Sequence, residues 1–279
     1  MVALVALMAM TPQTGIPTVM EDIAVRAQSA FPGLKPTDFA ISWRNLETGA
    51  EMNYNGGLSM YPASVVKMFY LAYAEELLTR KKLVRNPEFD RALADMIKES
   101  NNDATGLILD TITGTTGGPS LSDAELKKWV EKRQMVNNWL MTLGIKGINA
   151  SQKTWNEGPY GRERQGYGPN FEHRNSLTAD SCVQLMSLIA QKKLAGSDEM
   201  LSLLSRKAGS KDGQVEGFLG ELLPADAKLW SKAGWTSTTR HDVAFVELGG
   251  QKKVYAVFTR YQVENPKLLQ WLANEILKL

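Results

Sequence analysis

Cysteine and histidine are nearly missing from this chain: 279 residues hold Cys182 alone and two histidines, His173 and His241. A single cysteine forms no intrachain disulfide, and no Cys/His cluster offers metal-ligand spacing, so neither a metal nor a cofactor is expected. Chemistry built on several imidazoles is excluded, which leaves proton traffic to lysine or carboxylates. A charge of one sign is lacking too: 32 Lys+Arg against 30 Asp+Glu leave a net +2, and no basic field points to nucleic acid. No stretch spans a membrane, because the longest apolar run, Val2 to Met10, falls short of the roughly 20 residues needed. That run has the length of a signal-peptide h-region but lacks a basic n-region, so it reads equally as an N-terminal helix. Also absent are a Gly-x-Ser-x-Gly elbow, a Walker loop and a dinucleotide fingerprint. A Ser/His/Asp triad through His173 or His241 is disfavoured, since Arg240 and Asp242 around His241 fit the entry to a strand. Cys182 falls in an apolar helical pattern and reads as a core residue.

What is present reads as strands at both ends with helices between. Glu21–Phe31 predicts a helix closed by Pro32-Gly33, and Phe39–Arg44 and Glu51–Tyr54 form a hairpin around Asn45–Gly49. Helical patterns follow at Ser64–Arg80, Glu88–Glu99, Asp103–Leu109, Ser122–Leu143, Ala179–Gln191 and Ser197–Arg206. Strands return at Lys228–Lys232, Asp242–Leu248 and Val254–Arg260, and a helix over Pro266–Leu279 ends the chain. Residues 147–177, rich in Gly, Asn, Arg and Glu with interleaved aromatics, form a long loop of the kind that is often functional. The expected fold is α+β: an antiparallel sheet flanked by helices and built from both termini, with an inserted all-α domain. The boundaries are 1–58 with 205–279 for the discontinuous sheet domain and 59–204 for the helical one, with the site in the cleft between.

The chemistry-bearing motif is Tyr61-Pro62-Ala63-Ser64-Val65-Val66-Lys67-Met68. Serine and lysine three apart on a helix project to one side, and a serine opening a helix meets its unpaired N–H groups and positive dipole end. A desolvated lysine amine can activate such a serine. The spacing alone is weak, since 17 serines and 20 lysines yield roughly one Ser-x-x-Lys by chance. Two further elements strengthen it: Ser100-Asn101-Asn102 between two helical stretches, and Lys232-Ala233-Gly234 at the end of an apolar strand.

In this order and setting the three elements resemble the Ser-x-x-Lys, Ser-Asp-Asn and Lys-Thr-Gly set of class A β-lactamases and penicillin-binding proteins, from about residue 20 to 279. The resemblance implies a serine hydrolase with Ser64 as acylated nucleophile, Lys67 as its proton acceptor or as the charge of its hydrogen-bond network, Ser100 as proton relay and Lys232 as nearby positive charge. It assigns substrate binding to Asn102, Gly234, Trp235, Thr236 and Arg240, with the Ser64 and Trp235 N–H groups as oxyanion hole. The expected partner is a small-molecule β-lactam or a peptidoglycan-like peptide, met by a monomer that is periplasmic or secreted. A D,D-peptidase or slow penicillin-binding protein is the alternative activity, and a non-catalytic binding module with the same fold is a further one.

Three departures from the family bear on activity. Ala233 stands where the family has a hydroxyl residue, with Thr236, Ser237 or Thr238 as substitutes, while Asn101 replaces an aspartate that braces its loop. The stretch from Lys67 to Ser100 is short, which opens the cleft, whereas Thr111–Lys127 looks like an insertion. The family's deacylating loop glutamate, followed four residues later by asparagine, has no counterpart: Glu157, Glu163 and Glu172 are followed by Gly161, Tyr167 and Ser176. Glu157, two after Trp155, is the nearest candidate for a catalytic role, and Glu172 ranks below it.

Overall fold

The computed structural model describes residues 18–279, so the apolar run Val2–Met10 lies outside the described residues. In chain order the elements are α1 (Val19–Ala30), β1 (Phe39–Asn45), β2 (Glu51–Tyr54), α2 (Val66–Thr79), α3 (Pro87–Ala94), α4 (Asn102–Thr113), α5 (Asp123–Arg133) and α6 (Met135–Thr142). They continue as α7 (Gly161–Gly166), α8 (Ala179–Ala190), α9 (Ser197–Leu204), β3 (Ser205–Lys207), β4 (Lys228–Trp235), β5 (Arg240–Leu248), β6 (Gln251–Thr259) and α10 (Lys267–Ile276). The strands form one antiparallel sheet in the order β2-β1-β6-β5-β4-β3, with the N-terminal β1 pairing the C-terminal β6 from Phe39↔Thr259 to Asn45↔Lys253.

Both faces of the sheet are covered, which is why β5 and β6 are continuous apolar runs rather than alternating ones. On one face Ile41, Tyr255 and Val257 meet Met20 and Ile23 of α1 and Leu268 and Leu272 of α10. On the other, Val243, Phe245 and Phe258 join Phe69, Ile108 and Leu185 of the helical part. At the heart of that second core α2 is buried from Val66 to Leu77, and Lys67 is the cation within it.

Several expectations are corrected in detail. Ser122–Leu143 is two helices broken at Gln134, whose N–H is shared between the Val130 and Glu131 carbonyls. The stretch read as helix to Arg206 ends at Leu204 and passes into β3, an edge strand of three residues that carries no period to detect. Glu88–Glu99 is helical throughout, but its last turn, Asp95–Glu99, widens to a π-helix.

The loop 147–177 is not structureless; it contains α7 and is strapped down along its length. Asn175 Oδ1 accepts the N–H groups of Ser151 (3.0 Å) and Gln152 (2.9 Å), and Tyr70 of α2 donates to the Gln152 carbonyl at 2.7 Å. The chain between α4 and α5, within the stretch Thr111–Lys127 expected to be an insertion, grips it from outside: Arg162 N–H donates to Gly118 O, and Gln165 exchanges hydrogen bonds with Leu121. Beneath lies a buried ionic cluster. Arg133 Nη2 contacts Asp110 Oδ1 and Glu163 Oε1, both at 2.7 Å, and Lys153 Nζ contacts Asp110 Oδ2 (2.6 Å) and Glu163 Oε1 (2.9 Å). Two cations and two anions cancel, so the cluster fastens α7 to α4 and α5 without leaving an unpaired buried charge. Arg133→Met should therefore destabilise the fold by about 3–5 kcal/mol in urea unfolding, whereas a loss within about 1 kcal/mol, the range of an exposed pair, would show that the cluster is not needed.

Candidate active site

Two elements, α2 and β4, converge on the side chain of Ser100, and β3 and α4 hold the turn that carries it. The π-turn ends there with Ser100 at φ 56° and ψ 32°, a left-handed conformation rare for a non-glycine residue. Arg206 of β3 holds the turn by donating to the carbonyls of Ile97 (2.6 Å) and Lys98 (3.2 Å). Asn101 caps α4, its Oδ1 accepting the Ala104 N–H at 2.8 Å, which fixes where α4 begins and where Asn102 stands.

Lys67 reaches Ser100 from α2. Its Nζ donates to the Ser100 carbonyl, to Ser100 Oγ at 3.2 Å and to Asn102 Oδ1 at 2.8 Å. Lys232 reaches the same hydroxyl from β4: its Nζ lies 3.0 Å from Ser100 Oγ, 2.8 Å from Gln214 Oε1 and 2.8 Å from the Ala233 carbonyl. Both amines are buried and every contact is to a neutral oxygen, so burial governs their protonation. Desolvation lowers Lys67 to about 7, and it pushes Lys232 well below the ordinary lysine range, helped by repulsion from Lys67.

Ser64 sits in the 3₁₀ turn Ala63–Val65 that opens α2 and is half-buried. Ala63 before it is left-handed at φ 47°. β4 touches this turn backbone to backbone. A methyl on Gly234 would lie 2.8 Å from the Pro62 carbonyl oxygen and from the amide nitrogens of Ser64 and Val65, so only glycine fits. The Ser64 N–H thereby lies against the end of β4 at Gly234.

The remaining sequence-predicted residues fall around this centre. Trp235, 43% exposed, lies against Phe218 with ring centroids 5.5 Å apart. Arg240 pairs with Trp235 across β4 and β5, stacks its guanidinium on Phe218 at 4.9 Å and donates from Nε to Val263 O at 2.8 Å. Thr236 opens the turn to β5, its N–H donating to Thr239 O at 2.9 Å. Ala233 is buried in the apolar core on the sheet face opposite Lys232.

Glu157 lines a cavity with Asn102 and Asn156 but is not hydrogen-bonded into the Lys67 network. It is exposed on the loop and makes no hydrogen bond among the described residues. Its neighbour takes the place: Asn156 Oδ1 accepts from Asn102 Nδ2 at 2.7 Å, so the loop meets the Lys67 network with an amide rather than a carboxylate. Glu163 belongs to the ionic cluster, and Glu172 stays with its own loop, accepting the Asn170 N–H. Sequence reasoning missed Asn156, whose one signal was its position directly after Trp155, and Gln214, for which there was no signal.

His241 has a structural place. Nδ1 accepts the Thr259 N–H at 3.1 Å, so Nε2 carries the proton and donates to the Tyr61 carbonyl at 2.9 Å, bracing the approach to Ser64.

An antiparallel sheet with this helical insertion is the fold of the serine β-lactamases and D,D-peptidases. Residues 86–278 match the beta-lactamase enzyme family, and the chain belongs to that family. The matched span begins after Ser64 and Lys67. Among solved structures, a β-lactamase from Chitinophaga pinensis is 16% identical, with 94% of this chain and 99% of that one covered and a TM-score of 0.69. The TLA-3 extended-spectrum β-lactamase is 14% identical over 93% and 98%, at a TM-score of 0.68. PBP-A is 17% identical over 92% and 95%, at 0.65. No curated protein sequence matches.

Two neighbours on β5 titrate in opposite senses. Burial lowers His241 to about 4, so its share of stability is present above its unfolded value near 6.5 and is lost as pH falls toward 4. Burial raises Asp242 to about 7, so its share is present below its unfolded value near 3.9 and is lost as pH rises toward 7. Over pH 4.5–6.5 the two offset each other. Asp242→Asn removes one side, and its unfolding free energy should fall on acidification more steeply than that of the parent, by about 1.4 kcal/mol per pH unit near pH 5.5. Parallel stability curves for the two proteins would refute this pairing.

Proposed function

We propose that this protein is a serine hydrolase of the β-lactamase type that is acylated on Ser64 by a β-lactam or a D-Ala-D-Ala-like peptide. The observation that carries the reading is Ser100 Oγ held between two buried amines, of which Lys67 stands one helical turn after Ser64. Neutral Lys67 takes the Ser64 proton as Oγ attacks the carbonyl carbon, and the Ser64 and Trp235 N–H groups stabilise the oxyanion. When the C–N bond breaks, Ser100 gives its proton to the leaving nitrogen and recovers one from Lys67. In its protonated form Lys232 supplies positive potential for the substrate carboxylate, with Asn102 near the acyl side chain and Thr236 and Arg240 at the rim. Water then cleaves the ester and frees Ser64. Such substrates are met outside the cytoplasm, so export and action as a monomer belong to the proposal.

Slow ester hydrolysis, as in a penicillin-binding protein, is favoured over fast turnover by one feature: the loop offers Asn156, which has no basic form to activate water. The likeness to PBP-A, a mutant of which is known as an acyl-enzyme complex with penicillin G, agrees with this.

Intact-mass spectrometry with benzylpenicillin should show a long-lived adduct that Ser64→Ala abolishes. No adduct, or one that persists in Ser64→Ala, overturns the assignment. Because Lys67 acts as the free amine, the acylation rate should climb as pH rises through about 7; a rate that is flat from pH 5.5 to 8.5 would exclude it as the base. Asn156→Glu restores a carboxylate and should speed release of the adduct by about 10²-fold or more, the usual worth of a general base. An unchanged lifetime would remove the loop from deacylation.

A further inference from the structure

The mechanism leaves one buried contact of Lys232 unused. Gln214 lies in the segment between β3 and β4, is buried, and sends its amide oxygen to Lys232 Nζ. That segment is built to deliver it. Asp212 Oδ1 accepts the Gln214 N–H at 2.7 Å, the Val215 N–H closes a turn onto Asp212 O at 2.8 Å, and the Leu219 N–H is held by Asp242 Oδ2 at 2.9 Å. The same few residues place Phe218 beneath Trp235 and Arg240.

An amine has three directions to fill. Two of the partners of Lys232, Gln214 Oε1 and the Ala233 carbonyl, only accept hydrogen bonds and must each receive an N–H in either charge state. The third direction faces Ser100 Oγ: it is an N–H when the group is an ammonium and a lone pair when it is an amine. We propose that Gln214 is a positioning residue for the acylation step, which fixes the Lys232 amine so that any change in its protonation is passed to the Ser100 hydroxyl and nowhere else. The neutrality of Gln214 is part of the role, because a carboxylate there would hold Lys232 as a permanent ammonium.

The charged groups that face Lys232 come from every element around it. Lys67 of α2 and Arg206 of β3 disfavour its charge, whereas Asp242 of β5 and Asp212 of the Gln214 segment favour it. None of them is in contact with its Nζ among the described residues. Gln214 is therefore where one isosteric change alters the electrostatics of the relay directly.

The proposal rests on the acyl-serine reading, and its test separates the two. Gln214→Glu and Gln214→Leu are compared with the parent in two measurements: the ¹³Cε resonance of Lys232 followed through pH, which needs no substrate, and the pH dependence of acylation by benzylpenicillin. Gln214→Glu should raise the Lys232 titration by about one to three pH units, the effect of an opposite charge at contact distance, and move the acylation profile with it. Gln214→Leu should lower acylation about tenfold or more at every pH, since the amine then swings free of Ser100. Gln214→Glu, which keeps an acceptor, should retain the parent rate once the profiles are aligned. If Lys232 titrates alike in the parent and Gln214→Glu, or acylation profiles are unchanged in both variants, Gln214 has no such role. A parent that forms no acyl adduct sinks the acyl-serine reading, while the resonance still decides whether Gln214 sets the state of Lys232. Should Gln214→Leu fail to fold, the glutamate variant alone carries both measurements.

Discussion

Two lysine amines sharing one hydroxyl, away from contact with any carboxylate among the described residues, is a costly arrangement, and much of the structure exists to impose it. Burying an ammonium without a counter-ion is unfavourable, and the fold answers by lowering the basicity of Lys67 and Lys232 rather than by placing a carboxylate against them. The amines come from elements far apart in sequence, α2 and β4. Only a sheet assembled from both ends of the chain brings β4 against the turn that opens α2. Gly234 is the point of contact: with any side chain there, β4 would be pushed away and Lys232 withdrawn from Ser100.

The Ser64–Lys67 pair was legible from a local three-residue spacing together with two further motifs, and the strands were legible because fully covered strands are written as unbroken apolar runs such as Val254–Phe258. What escaped reading has a common cause. Gln214, Asn156 and the Arg133–Glu163 pair act through contacts between residues 18 to 54 positions apart, in segments with no period. Polar residues in such segments are indistinguishable from solvated ones until the chain is folded. β3 escaped for a simpler reason: Ser205–Lys207 is too short to alternate, and what defines it is the ladder it makes with β4.

The loop 147–177 shows how an acidic residue can be abundant and yet unavailable. Glu163 faces inward and is committed to Arg133 and Lys153, and Glu157 faces solvent one position past the site. On either side of them the backbone is pinned by Tyr167 OH, which donates to the Lys153 carbonyl at 3.0 Å, and by Lys153 within the cluster. The register of the loop is thus fixed by buried polar contacts, and that register presents Asn156 to Asn102. Moving Glu157 into its place would require shifting a strap whose ion pairs are buried, so the amide at the site follows from how the loop is anchored.

The alanine at position 233 takes on a different meaning in this setting. Its side chain lies in the apolar core behind the sheet, among residues such as Phe218 and Val257, and its carbonyl is one of the two obligatory acceptors for Lys232. A backbone carbonyl performs that task whatever the side chain, so the loss of a hydroxyl there leaves the placement of Lys232 intact. Hydroxyls reappear beyond the strand's end, where Thr236 lies within 3.2 Å of both Thr238 and Thr239 in the exposed turn beside Trp235. The geometry that orients the lysine thus stays with the backbone, whereas the nearest hydroxyls stand in the exposed turn beyond the strand.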